Sequence, residues 1–388
     1  MEHFLTKLKP TVLSFALVFT CVHPYAPQEA HAQPAPGPSR SPTLPSQTVF
    51  SKTYTSTGAS SKVVGNILAG GVSMTGANAS VYGDLVSAGA ATTGGAGSTV
   101  SGNIVSGDVL TTGDGSVVGG SITSSGASTV GANSRIGGSM VSGGASTTGG
   151  SSSVSGDLWS GGAASIGATA TVGGDLGATG SISVGAGSSV GSRQTLSSSP
   201  IDASASTAAI RATVASDAQQ VIDAQAAFTN LGAGNALAPT ITTNRTLNAG
   251  VYSAASLSTT AGTTLYLDGQ GLDDQSWVFN ITEMLAIGAS TNITLINSGA
   301  NSSVTWNTDG YATLGANSTF VGTILAKDYI SVGARAKLSG VGNSCGGLYS
   351  ATSYVSIGDS SSIGGDGCGG GHVGDDERPA ERGDFVSF

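Results

Sequence analysis

The sequence predicts an all-β fold, a triangular, parallel β-solenoid (β-helix) with one long α-helix packed alongside. Three observations point there. Of 388 residues, 61 are Gly, 5% are aromatic and only 10% are charged, against about 25% charged in ordinary globular chains. So few large side chains cannot fill a thick core, but a thin core of small and β-branched residues is feasible. The second observation is an 18-residue repeat. The third is a single segment where that repeat gives way to a helical period.

The repeat runs between residues 53 and 195. A glycine opening a G-[DNS]-[LIM] triplet stands at Gly65, Gly83, Gly102, Gly120, Gly138, Gly156 and Gly174, in steps of 18 with one of 19. One unit reads GSITSSGASTVGANSRIG and another GDLWSGGAASIGATATVG. Apolar residues fall at the third, eleventh and seventeenth places, as in Ile122, Val130 and Ile136 or Leu158, Ile166 and Val172. Each sits on its own short extended segment between glycine-rich corners, so a unit makes three strands and the stack a triangular prism. A helix would lose about 1 kcal/mol at each glycine relative to Ala, and a 3.6 period is absent. A flexible Gly/Ser linker would not keep three apolar columns in register over six coils.

Neighbours on a strand point to opposite sides, so an inward eleventh place puts the tenth outside. The tenth place holds Thr92, Thr111, Thr129, Thr147, Ser165 and Ser183. Stacked coils set these hydroxyls in a ladder with rungs about 4.8 Å apart. The fourth place, also outward, holds Val86, Val105, Thr123, Val141 and Trp159. That apolar face calls for a cover or a partner.

After Pro200 the segment IDASASTAAIRATVASDAQQVIDAQAAFTNLG changes character. Ile210, Val214, Ala218, Val221, Ala224, Phe228 and Leu231 follow spacings of four and three. Asp202, Ser204 or Ser206 can cap the start and Gly232 ends it, which gives a helix over 204–231. Its apolar stripe needs a platform, and one side of the solenoid supplies it. The coil pattern then returns at Leu257-Ser258-Thr259, Leu285-Ala286-Ile287, Ala312-Thr313-Leu314, Ile330-Ser331-Val332 and Val355-Ser356-Ile357. Gly322 to Gly340 again spans 18 residues, with Ile324, Val332 and Leu338 at the inward places. One solenoid is expected to run through both halves.

At the N-terminus, Lys7 and Lys9 precede an apolar run from Val12 to Val22, and Ala30-His31-Ala32 stands before Gln33. A secretory signal over 1–32, cleaved after Ala32, is the expectation. The run is short for a membrane span, so no span is expected and the protein is read as secreted, extracellular or at the cell surface. Thr20 before Cys21 fits a lipoprotein anchor poorly. The proline-rich stretch 33–50 is read as a linker. Only Cys345 and Cys368 lie beyond the signal, in a compartment where disulfides persist. A bridge between neighbouring coils is the first expectation and two small buried thiols the alternative. The net charge of −9, with no Lys/Arg cluster past the first residues, makes nucleic acid an unsuitable partner.

The search for chemistry finds no catalytic set. His3, His23 and His31 lie in the presequence, which leaves His372 in a glycine-rich tail as the one histidine a Ser-His-Asp or Cys-His site could use. Cys345 and Cys368 without clustered histidines make a poor zinc set, so no metal or cofactor is expected. Asp273 with Asp274, and Glu283, are the carboxylates a polysaccharide-active solenoid would need. The two aspartates sit in a loop between Gly271 and Trp277, where turn capping accounts for them. Asp84, Asp157 and Asp175 recur at the second place, where a corner hydrogen bond is the simple explanation. IGGDGCGGG near Asp366 is one copy of a calcium-repeat-like pattern, too little to assign a site.

Residues 156–366 carry further motifs in a distinctive order: GDLG at Gly174, the Ala-rich helix, LNAGVYSAASLSTTAGTTLYLDGQG, WVFNI, ITLIN and ATLGANSTFVGTILAKDYISVGARAKLSG. They resemble the ice-binding-like β-solenoid family of secreted microbial antifreeze proteins. The resemblance implies a right-handed, discontinuous β-helix with the helix alongside, and ice as the partner. It carries a flat ice-binding face onto Ser165, Ser183, Ser258, Ala286, Thr313, Ser331 and Ser356, while Thr92, Thr111, Thr129 and Thr147, placed outward by alternation alone, are candidates for an extension of the ladder. Ice offers no charge pattern to grip, so a binder needs area, flatness and a surface that orders water without holding it tightly. Threonine suits this because β-branching limits χ1 and keeps the array rigid. None of these residues is charged.

The long array before residue 156 departs from the family and resembles bacterial polymer-forming solenoids, so self-association through the N-terminal solenoid is a further expectation. The layout is then a signal (1–32), a linker (33–50), a regular array (51–155), an ice-binding-like domain (156–370) and a flexible tail (371–388). No enzymatic activity is expected. A structural or adhesive surface solenoid is the alternative function, and a polysaccharide-active enzyme the remoter one.

Overall fold

The computed structural model describes residues 42–342 and 345–365. Within them the chain forms three all-parallel sheets of 15, 14 and 13 short strands, one along each face of a triangular solenoid, and one α-helix, Ala203–Thr229. A typical strand such as Ser128–Val130 is buried, exposed and buried in turn, the alternation that the pleat imposes. Corners are tight. A Cβ on Gly131 would lie 2.5 Å from the Gly113 carbonyl carbon, and one on Gly333 2.5 Å from the Ala316 nitrogen, so both of these corners require glycine. Two residues after Gly131 and Gly315 the chain takes a left-handed conformation at Asn133 and Asn317, with φ of 57° and 56°, which asparagine tolerates.

The order of coils does not follow the chain. The first coil, with strands Val49–Ser51, Thr55–Thr57 and Lys62–Val64, pairs with the second coil on one side. On its other side it pairs with the last coil, Leu348–Ser350, Val355–Ile357 and Ser362–Ile363. From this seam the N-terminal coils run to one end of the stack at Arg193–Thr195, and the C-terminal coils begin at the opposite end with Asn235–Ala236 and build back. The seam is hydrogen-bonded like any other step, and the Ala59 N–H also donates to Asp359 Oδ1 across it at 2.8 Å. Along one corner, Tyr54 stacks on Tyr354 at 4.7 Å, and the column continues through Tyr329 and Tyr311.

Within the expected linker over 33–50, the described residues from 45 onward are docked on the solenoid. Val49–Ser51 is a strand, and Pro45, Gln47 and Thr48 are buried. The Tyr349 hydroxyl donates to the Gln47 carbonyl at 2.7 Å, which ties the segment to the last coil.

The third-place column, from Ile67 through Leu85, Ile104, Ile122, Met140 and Leu158 to Leu176, is fully buried, and the seventeenth-place valines and isoleucines stand beside it. The expected eleventh-place apolar column is only partly apolar. Thr57, Thr75, Thr93, Thr112 and Thr148 occupy it, buried, and their hydroxyls need partners. Thr112 Oγ1 accepts the Gly131 N–H at 3.2 Å, while Thr57 and Thr75 Oγ1 find none. A buried fifth-place serine column, Ser87 to Ser160, satisfies corner carbonyls instead, as where Ser106 Oγ donates to Gly89 O at 2.8 Å. The C-terminal coils are thicker and hold a ring stack of Tyr252, Phe279, Trp306 and Phe320, with Phe279 and Trp306 centroids 3.8 Å apart.

Asp202 caps the helix, its carboxylate accepting the Ser204 hydroxyl and the Ala205 and Ser204 N–H groups, which holds its pKa below the usual value. Ile210, Val214, Ala218, Val221, Ala224 and Phe228 face the solenoid as expected. Leu231 lies past the last turn and is exposed. The helix is about 40 Å long. It crosses the seam: Thr207 Oγ1 donates to Gly107 O in the N-terminal coils, and Gln225 Nε2 to Thr308 O in the C-terminal ones. Its apolar side packs on Phe50, Leu68 and Ala88 from one half and Val278, Leu325 and Tyr349 from the other, with Val86 and Val105 at the margin. The apolar fourth-place face is thus covered over these coils.

Asp217 interrupts that apolar side. It is 7% exposed, and its Oδ2 has no partner. Burial raises its pKa, so the ionised form opposes folding, and this penalty is relieved as pH falls from neutral toward the ordinary value of 3.8. Asp217→Asn is expected to stabilise the protein at pH 7 by about 1 kcal/mol, since it removes a buried charge with an unpaired oxygen. Thermal melts should show the parent gaining stability on mild acidification and the variant gaining less. Equal melting temperatures at neutral pH would refute the assignment.

Candidate functional site

The tenth-place residues form one unbroken column along the 14-stranded face. In spatial order it runs Ser183, Ser165, Thr147, Thr129, Thr111, Thr92, Met74 and Ser56. It crosses the seam to Ser356 and continues through Ser331, Thr313, Ala286, Ser258 and Thr240. Every rung is at least partly exposed. At about 4.8 Å per step the column extends roughly 60 Å.

All the residues expected on the ladder, in both halves, lie in this single column. Three of its members were not singled out from sequence. Met74 is the tenth place of the unit opened by Gly65 and was there to be read. Ser56 precedes the first glycine triplet, and Thr240 belongs to a coil without one.

The three faces differ in charge and cover. The helix lies over part of the first. The outward column of the third carries Lys62, Arg135 and Lys337, and Lys62 lies over the Tyr82 ring at 4.8 Å. The ladder column carries no charge at any rung, and adjacent hydroxyls can bond one another, as Thr240 and Ser258 do at 2.9 Å.

Of the carboxylates considered for catalysis, Asp273 has structural work. Asp273 Oδ1 accepts the Ala300 N–H at 2.7 Å. At the second place, Asn66, Asp84, Asn103, Asp157 and Asp175 each accept the backbone N–H of the next coil, the expected corner bond extended into a ladder. Cys345 is disulfide-bonded. Its expected partner Cys368 lies outside the described residues, as do His372 and Asp366. Among the described residues no three His, Cys, Asp or Glu side chains gather into a metal site, and no helix is long and apolar enough to cross a membrane.

The ice-binding-like family matches residues 140–362, more than half of the chain. Ice-binding protein 1 of Shewanella frigidimarina is 34% identical over 116 residues, which make up 30% of this chain and 13% of that protein. A solved domain of that protein aligns at 22% identity and a TM-score of 0.33, covering 54% of this chain and 89% of the domain. An ice-binding protein from an Antarctic bacterium of the Flavobacteriaceae aligns at 14% identity and a TM-score of 0.34, covering 80% of each chain. The coils outside the family match, from residue 49 to 139, stand between its two parts, because the first coil rather than the one at residue 140 meets the last.

Proposed function

This chain belongs to the ice-binding-like family, and from that premise we propose that it adsorbs to ice through the ladder face and thereby inhibits ice growth and recrystallisation. One observation carries the reading: an uncharged column of Ser, Thr and Ala, interrupted only at Met74, runs the length of the solenoid, while the helix covers part of the first face and the third carries Lys and Arg. A rigid row of methyls and hydroxyls orders a water layer that can merge with a crystal, whereas Lys or Arg would organise hydration that ice cannot accept. Export through residues 1–32, and therefore action outside the cell, is part of the same proposal.

The direct test is to grow an ice hemisphere in a solution of fluorescently labelled protein. Label is expected to enter the ice, and label left wholly in the liquid would overturn the reading.

A structural reading by self-association has its own support. At the end of the N-terminal coils Ile182, Val184 and Val190 are only partly buried, and Arg193–Thr195 is exposed throughout. At the opposite end Leu237, Ile241 and Leu247 are 4–8% exposed. The open edge can pair with a second copy, and sedimentation that does not change with concentration would exclude this.

A further inference from the structure

Between Ser56 and Thr92 the ladder holds Met74, which is 50% exposed, with Val72 exposed beside it on the approach to the same strand. Every other rung is Ser, Thr or Ala. We propose that Met74 divides the ladder into two ice-contacting segments and limits how well the whole face can seat on one crystal surface. The inference rests on the ice-adsorption reading. It deepens that reading by naming the residue that sets the effective length of the site.

The argument is one of height and stiffness. Serine, threonine and alanine end within two bonds of Cα, and threonine is held by β-branching. Methionine continues for four heavy atoms on flexible bonds, so its thioether rises above the plane that the other rungs define. Ice is flat and does not deform to admit it. A crystal seated on the six rungs from Ser183 to Thr92 must therefore lift from the seven between Ser56 and Thr240, or Met74 must be pressed sideways over Val72 with loss of its rotamer freedom. Two segments on one rigid body gain most when both engage together, and a spacer that prevents simultaneous engagement forfeits that gain. Met74 lies in the second of the coils outside the family match, directly against the first.

The test uses the parent, Met74→Thr and Met74→Ala, compared by the lowest concentration that stops recrystallisation and by the freezing-point gap at fixed concentration. Both variants are expected to act at several-fold lower concentration than the parent. Alanine removes the protrusion without supplying a hydroxyl, so its gain isolates flatness from water anchoring. An active parent that both variants leave unchanged or weaken overturns the inference and leaves the adsorption reading standing. A parent with no effect on ice overturns both. Unchanged circular dichroism melts establish that the exposed substitution has not altered the fold.

Discussion

Thr313→Tyr and Ser331→Lys are each expected to remove most recrystallisation inhibition while the protein stays folded. Both positions are outward rungs on neighbouring strands of the C-terminal ladder. Tyrosine there lifts a rigid ring above the plane, and lysine introduces a strongly hydrated charge. An exposed substitution normally changes stability by less than about 0.5 kcal/mol, so lost activity with an unchanged melt reports on the face and not on the fold. The control is Asn292→Lys, an outward position of the third face, in register with Thr264 and Thr319. It should keep most of the activity. If the control is damaging and the two ladder variants are silent, the ice face has been placed on the wrong side of the prism. If all three are silent, the active segment is the one through Thr92, Thr111, Thr129 and Thr147.

Trp306→Ala has the largest expected effect on stability, a loss of about 3–5 kcal/mol. The ring is fully buried between Phe279 and Phe320, and its Nε1–H donates to the Val321 carbonyl at 3.0 Å. Alanine leaves a cavity in the aromatic part of the core and a buried carbonyl without its partner. Denaturant unfolding would show a lower midpoint. A midpoint shift no larger than that of a surface substitution would mean that the aromatic stack does not hold the C-terminal coils together.

What could be read from sequence followed from local rules. The 18-residue spacing fixes three strands per coil, and period-two alternation fixes which residue of each strand faces out, so Thr129 and Ser331 were placed on one face without a structure. The cap at Asp202 and the inward stripe of the helix were legible for the same reason. Legibility ended where partners are remote and chemically alike. Every coil edge of a parallel stack offers the same backbone groups, so nothing near Val49 announces that its neighbour is Leu348. The docked segment before Val49 was hidden by its prolines, and the fate of Leu231 by its place just beyond the helix. The buried threonines at the eleventh place are hidden by the apolar Val130 and Ile166 in the same column, because threonine is nearly isosteric with valine and fits the same inward site. Asp217 gave no signal, because a single acid at helical spacing looks like an ordinary solvated residue.

The seam has a consequence for how the molecule comes to be folded. Synthesis delivers the first coil long before the last, yet the first coil acquires its second neighbour only when residues 348–363 arrive. Joining positions about 300 residues apart as a free chain would cost about 5 kcal/mol of loop entropy, so the closing contact is best made late, between two stacks already formed. Folding of this kind has high contact order and is correspondingly slow. Until closure, the strand edges of the first and last coils, which end up inside the finished solenoid in all three sheets, are open to a neighbouring chain, which makes the interval before the halves meet the one most exposed to aggregation.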